Sequence, residues 1–195
     1  KHIVILSIFS CAFLLTGCQL GYLIKNGYHQ ALIIKDQKAI ETVMLSEQLT
    51  VEQKRKIKLI QEAKFFAQNE LGLATTENYS TYVHLSRPYV TYIVQAALPM
   101  ELKYHYWSFP IVGKVPYKGY FVEEDAKKEA EIFKQKGLDT SVRGVRAFST
   151  LGWFKDPILS PMTGYEDDDL VNLIIHETTH ATLFIKSEVD FNEQM

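Results

Sequence analysis

The chain has little cysteine. Cys11 and Cys18 are the two in 195 residues, too few for a disulfide-built scaffold. It has no basic excess: 21 Lys+Arg stand against 23 Asp+Glu, for a formal net charge of -2, which argues against a dedicated nucleic-acid binder. Glycine (10) and proline (6) are sparse and no repeat or low-complexity tract is visible, so collagen-like and wholly disordered classes are excluded. The opening apolar run, Ile3–Leu15, is 13 residues long and is broken by Ser7 and Ser10. A membrane-spanning helix needs about 20. What remains is an ordinary globular composition, 47% hydrophobic and 23% charged, with 11 Tyr and 11 Phe that suit a sheet-containing core.

A positive start at Lys1, a short apolar stretch and small residues after it read as a secretory signal peptide over residues 1–17. Leu15-Thr16-Gly17-Cys18 resembles a bacterial lipobox, in which the cysteine thiol is acylated and becomes the new N-terminus. Gln19 is not Asp, and by resemblance to Gram-negative lipoproteins this implies sorting to the outer membrane, with the chain facing the periplasm. The expected organisation is therefore signal over 1–17 and one domain over 18–195, tied to a membrane through lipid on Cys18.

Past the anchor, apolar residues from Leu20 to Leu45 recur at helical spacing. Thr50 opens a second helix, with Gln53 as capping-box partner and Gly72 as a stop. Lys54-Arg55-Lys56-Lys58 reads as a solvated helix face, with a membrane-surface role as the alternative. From Tyr79 the period changes to that of strands: Tyr89–Ala97, Tyr104–Val112, Val115–Val122, Thr140–Val145 and Ala147–Phe154, with a turn at Gly113-Lys114. Glu123–Lys136 is a helix, acidic at its start and basic at its end. Glu166-Asp167-Asp168-Asp169 precedes an apolar helix over 170–185 and reads as capping and solubility, because it lacks the spacing of a calcium loop.

That last helix contains His176-Glu177-Thr178-Thr179-His180, the H-E-x-x-H pattern. Positions i and i+4 share a helix face, so two imidazoles converge on one ion, and zinc suits them. Zinc lowers the pKa of water towards about 7. Glu177, beside His176, is placed to take the proton of the attacking water as general base. A third protein ligand is expected, and no histidine follows His180; Glu188, Asp190 and Glu193 are the candidates. Glu193 is favoured, because 13 residues past His180 allow a reversal and the start of another helix.

Several segments together resemble the bacterial predicted aminopeptidase family of zinc metallopeptidases, which has lipoprotein members. They include Gly21-Tyr22-Leu23, Glu70-Leu71-Gly72-Leu73, Arg87-Pro88-Tyr89-Val90 and Phe109-Pro110-Ile111-Val112-Gly113. Tyr117-Lys118-Gly119-Tyr120-Phe121, Ser149-Thr150-Leu151-Gly152-Trp153-Phe154, the HExxH stretch and Phe191-Asn192-Glu193 complete the series. The resemblance implies a gluzincin-type site: His176, His180 and Glu193 as zinc ligands and Glu177 as catalytic base. It also implies an α+β, zincin-like fold, with N-terminal helices, a mixed sheet of about five strands and the active-site helix packed under it. The family pattern runs on as Asn-Glu-Ser-Phe-Ala and a helical stretch, whereas Gln194 and Met195 follow here, so the domain is expected to be incomplete at its C-terminus. Thr150, Leu151, Gly152 and Trp153 are candidates for an edge strand that pairs with an extended peptide substrate. A peptidase, in its aminopeptidase form, is the leading expectation. The alternative is a non-catalytic envelope lipoprotein with a structural zinc site or a peptide-binding role.

The lipobox reading makes one direct prediction. Metabolic palmitate labelling is expected to vanish in Cys18→Ser, and unchanged labelling would remove the anchor.

Overall fold

The computed structural model describes residues 20–101, 103–109, 112–150 and 154–194. The expected signal peptide, Cys18 and Leu151–Trp153 lie outside the described residues. The chain divides into two compact units, Lys1–Asp36 and Gln37–Met195. In the first, residues 20–35 form one helix, α1, whose Asn26 amide donates to the Tyr22 carbonyl at 2.8 Å.

In the second unit the helical pattern expected up to Leu45 is interrupted. Lys38–Ala39 forms a short strand, β1, before helix α2 (Ile40–Leu45). The competing interaction is a strand partner: Lys38 and Ala39 pair with Tyr82 and Thr81 of β2 (Thr81–Val83). Helix α3 (Val51–Asn69) begins as its sequence dictates. The Thr50 hydroxyl accepts from the Gln53 N–H at 3.1 Å, and the Gln53 side chain accepts from the Thr50 N–H at 2.9 Å. It ends before Gly72, which adopts φ +67°.

Among the described residues the strands form three small sheets. In the largest, β3 (Thr91–Ala97) lies between β6 (Lys118–Tyr120) and β7 (Asp139–Val145), antiparallel to both. β4 (Trp107–Phe109) and β5 (Gly113–Val115) form a hairpin. β2 lies between β1 and β8 (Ile158–Leu159), parallel to the latter. The fold is thus mixed α/β, but the single sheet of about five strands is not what forms. Pro116 lacks the ladder N–H and splits the expected Val115–Val122 strand into β5 and β6. Gly113 and Lys114, the expected turn, instead pair with Phe109 and Ser108 as part of β5.

Helix α4 (Glu123–Gln135) buries Ala126, Ala130 and Phe133 and packs on the β6–β3–β7 sheet. Helix α5 (Asp167–Thr182) packs on α3, not under a sheet. α3 supplies Ile57, Ile60, Ala63 and Ala67 to the core, and α5 supplies Leu170, Ile174 and Thr178. The basic cluster is not a bare solvated face. Arg55 and Lys56 both bind Asp167 in the first turn of α5, and buried Lys56 also donates to the Tyr165 carbonyl at 2.6 Å. Asp167 is accordingly part of a joint, and the Arg55 and Lys56 bonds hold its carboxyl below the usual carboxylate range.

The strand expected over Ala147–Phe154 does not form across 147–150. The Thr150 N–H and hydroxyl donate to the two oxygens of Asp156, at 2.8 and 2.7 Å, and the Thr150 hydroxyl accepts from the Phe154 N–H at 3.1 Å. These bonds occupy the Thr150 N–H and hydroxyl with side-chain and loop partners.

Ile174 is fully buried on the inner face of α5. Ile174→Ala is expected to cost about 2–5 kcal/mol in denaturant unfolding, and a loss below about 1 kcal/mol would mean that α5 is not seated as described.

Candidate metal centre

The rotation of α5 determines what each residue of the HExxH stretch can do. At about 100° per residue, Glu177 projects within about 20° of Leu170, on the flank of the buried face. The two histidines lie further round on that flank, one turn apart. Their rings meet at 4.2 Å between centroids. The threonines between and after them are occupied internally: the Thr178, Thr179 and Thr182 hydroxyls donate to carbonyls one turn back, at 2.7, 2.9 and 2.8 Å.

α5 ends at Thr182, and the chain returns through Leu183–Glu188 to a one-turn helix, α6 (Val189–Asn192). This return brings Glu193 back to the helix. Its Oε2 lies 3.6 Å from His176 Nε2. Donor atoms of His176, His180 and Glu193 all lie within 4.8 Å of one another. Of the three acids that could follow His180, Glu193 is the one in this group.

Two imidazole nitrogens and one carboxylate oxygen are the donor types of a catalytic transition-metal site that keeps a position open. A tetrahedral ion at about 2.0–2.1 Å from its donors sets them about 3.3 Å apart, close to the His176–Glu193 separation. His180 Nδ1 is buried and has no hydrogen-bond partner among the described residues. A polar atom in that state suits either an ion or an outer hydrogen-bond acceptor. The residues therefore fit a metal.

Glu177 is close by but is not one of the three. Burial pushes its carboxyl up to about 7; the His176 charge and a Ser149 hydrogen bond pull it down, and Glu193 and Asp156 add to the rise. Burial pushes the His180 imidazole down, His176 reinforcing this and Glu193 opposing it. Behind Glu177 lies a second carboxylate not singled out by sequence. Asp156 is buried and pushed up by that burial, while bonds from Thr150 and Ser149 work against the shift. Ser149 thus touches both acids, lying 3.4 Å from Asp156 Oδ2. Two tyrosines complete the surroundings. Tyr79 is buried in the left-handed region at φ 60° and anchored by its N–H to the Asp156 carbonyl at 2.6 Å. Its phenol is driven well above its ordinary value by burial, with Glu177 and Asp156 adding. The Tyr117 phenol is raised by burial, then by Glu193 and Glu177. None of these four stands at a fixed spacing from the HExxH stretch; Tyr117 and Ser149 fall in segments that carry the family resemblance, while Tyr79 and Asp156 have no signal in the sequence.

The described residues thus form a mixed α/β fold with a His-His-Glu cluster whose donors could hold a metal ion. Residues 21–195 match the family described as "Putative aminopeptidase", and the chain belongs to that family. The assignment points to peptidase activity. No curated protein and no solved structure matches the chain.

The raised Glu177 makes a prediction for metal-free protein. Its ordinary value is 4.5 and its folded value about 7, so the folded chain binds this proton more tightly than the unfolded chain. That stabilisation is complete below about pH 4.5 and is lost as pH rises through about 7, a change of up to about 3 kcal/mol. The melting temperature of wild type minus that of Glu177→Gln, both metal-free, is expected to fall across this window. A pH-independent difference would mean that Glu177 is solvated.

Proposed function

We propose that the protein is a zinc-dependent peptidase of the HExxH, gluzincin type, acting as an aminopeptidase, with a zincin-like arrangement around its active-site helix. The observation that carries this reading is the meeting of His176, His180 and Glu193 beside a half-buried Glu177. Imidazole and carboxylate donors suit zinc, and His176, His180 and Glu193 would hold it. When bound, zinc supplies Lewis acidity at the scissile carbonyl and lowers the pKa of water.

The chain's own residues supply the proton transfers. Glu177 sits beside the ligands on a flank where desolvation raises its proton affinity. It takes a proton from the attacking water and delivers it to the departing amine. The Ser149 contact restrains its carboxylate, and Asp156 in turn restrains Ser149. The substrate is a peptide. The lipobox ending at Cys18 and the following Gln19 support a lipid-tethered protein of the outer membrane, facing the periplasm.

Zinc at one equivalent per chain by mass spectrometry is the expected result. Glu177→Gln is expected to keep the zinc and lose at least about 100-fold in peptide hydrolysis. Zinc absent from well-folded protein would overturn the reading. Retained hydrolysis in Glu177→Gln would remove Glu177 as base, and hydrolysis of peptides with blocked N-termini would make the enzyme an endopeptidase.

A further inference from the structure

Glu193 is a demanding place from which to recruit a ligand. It lies 13 residues past His180, beyond the end of α5, in a stretch whose only regular element is the four-residue α6. A segment with so little secondary structure of its own pays ordering entropy each time it presents a carboxylate to an ion. Something outside its helical hydrogen bonds must hold it.

Asn192 does this. It is the residue just before Glu193 and is 1% exposed, although its side chain is fully polar. Its Oδ1 accepts from the Ile185 N–H at 2.9 Å, and its Nδ2 donates to the Ile185 carbonyl at 2.8 Å. One amide side chain thus takes both backbone groups of one residue, as an antiparallel strand partner would. The pair spans the loop, joining the residue three positions past the end of α5 to the residue adjoining Glu193. Within it, the Glu188 N–H donates to the Ile185 carbonyl at 3.2 Å and the Asn192 N–H to the Glu188 carbonyl at 3.0 Å.

The chemistry is specific to asparagine. Aspartate keeps the acceptor but loses the donor. Glutamine places the amide one methylene too far out. Leucine fills the space but leaves the Ile185 N–H without its side-chain acceptor and the Ile185 carbonyl with the Glu188 N–H alone.

We propose that Asn192 is the positioning residue of the third metal ligand: its amide clamp on Ile185 closes the loop so that the Glu193 carboxylate waits beside His176. The proposal rests on the reading of Glu193 as a ligand. Asn192 touches no substrate and acts only through Glu193. Residues that orient metal ligands in this way are worth about 10–100-fold in metal affinity.

The test is zinc affinity, measured on the protein by competition with a chromophoric chelator, alongside the melting temperature of metal-free protein. Val94→Ala, in the core of β3, serves as a destabilised control. Asn192→Ala is expected to weaken zinc binding about 10–100-fold, and Val94→Ala to leave it unchanged. In a Glu193→Gln background, Asn192→Ala is expected to have no further effect, because the residue through which it acts is gone. If Asn192→Ala does not fold, Asn192→Asp provides the same comparison. Zinc affinity that Glu193→Gln leaves unchanged would overturn the ligand reading itself. A weakened Glu193→Gln beside Asn192 variants that bind like wild type would leave the ligand in place and overturn the clamp. So would a loss in Asn192→Ala no larger than that in Val94→Ala.

Discussion

The packing of α5 on α3 is the constraint on which the rest depends. It is driven by burial of Ile57, Ile60 and Ala67 from one helix and Leu170, Ile174 and Thr178 from the other. Hydrophobic packing alone tolerates some rotation and sliding. The bonds from Arg55 and Lys56 to Asp167, with Lys56 also reaching the Tyr165 carbonyl, pin the N-terminal end of α5. Lys56 is buried, so its ammonium group needs these partners wherever α5 begins. Rotation of α5 about its axis would move Glu177 out to solvent or bury the histidines. The ion pair far from the histidines and the chemistry beside them are thus linked through one rigid helix.

Desolvation dominates the centre's electrostatics. Glu177 and Asp156 are two carboxylates raised chiefly by burial, the Asp156 charge adds to the rise at Glu177, and Ser149 contacts both. A hydroxyl has one proton, so it cannot donate to both at once. The Ser149 bond to Glu177 lowers that carboxyl's proton affinity, against the burial that raises it. Tyr79, held in left-handed backbone by the Asp156 carbonyl and by the Gln61 amide at its own carbonyl, shields the pair from water. A bulky residue in that region is strained and persists only where its surroundings fix it.

What was legible in the sequence follows the range of the interaction. The capping box at Thr50 and Gln53, the charge gradient of α4 and the i, i+4 histidines are local, and their spacing alone implies their geometry. The spacing of 13 residues past His180, with the family resemblance, favours Glu193 over Glu188 and Asp190, and the return through α6 brings Glu193 beside His176; how the chain makes that reversal is what no period encodes. Longer-range competition was invisible. The helical pattern before Leu45 is interrupted because Lys38 and Ala39 find β2 more than forty residues on. The stretch from Ala147 reads as a strand, yet no strand forms over 147–150, where the Thr150 N–H bonds to the Asp156 carboxylate. The β2–β8 pairing joins Tyr82 to Ile158, and neither short segment signals the other.

The loop that carries Glu193 also has an outer fastening. The Ser187 N–H donates to the Val112 carbonyl, and the Ser187 hydroxyl accepts from the Lys114 N–H, both at 3.3 Å. Gly113, between those two residues, adopts φ +80°, and a Cβ there would come within 2.1 Å of Ser187 Oγ and 3.0 Å of the Ser187 backbone nitrogen. Ser187 is itself left-handed at φ 67°. The β4–β5 hairpin and the loop before Glu193 therefore fit together as tongue and socket. The number of residues between Thr182 and Glu193 is consequently a dimension of the molecule, matched to the reach of a hairpin some seventy residues earlier in the chain. In most surface loops an added residue bulges harmlessly into solvent; here it would have to be absorbed at one of two fixed fastenings.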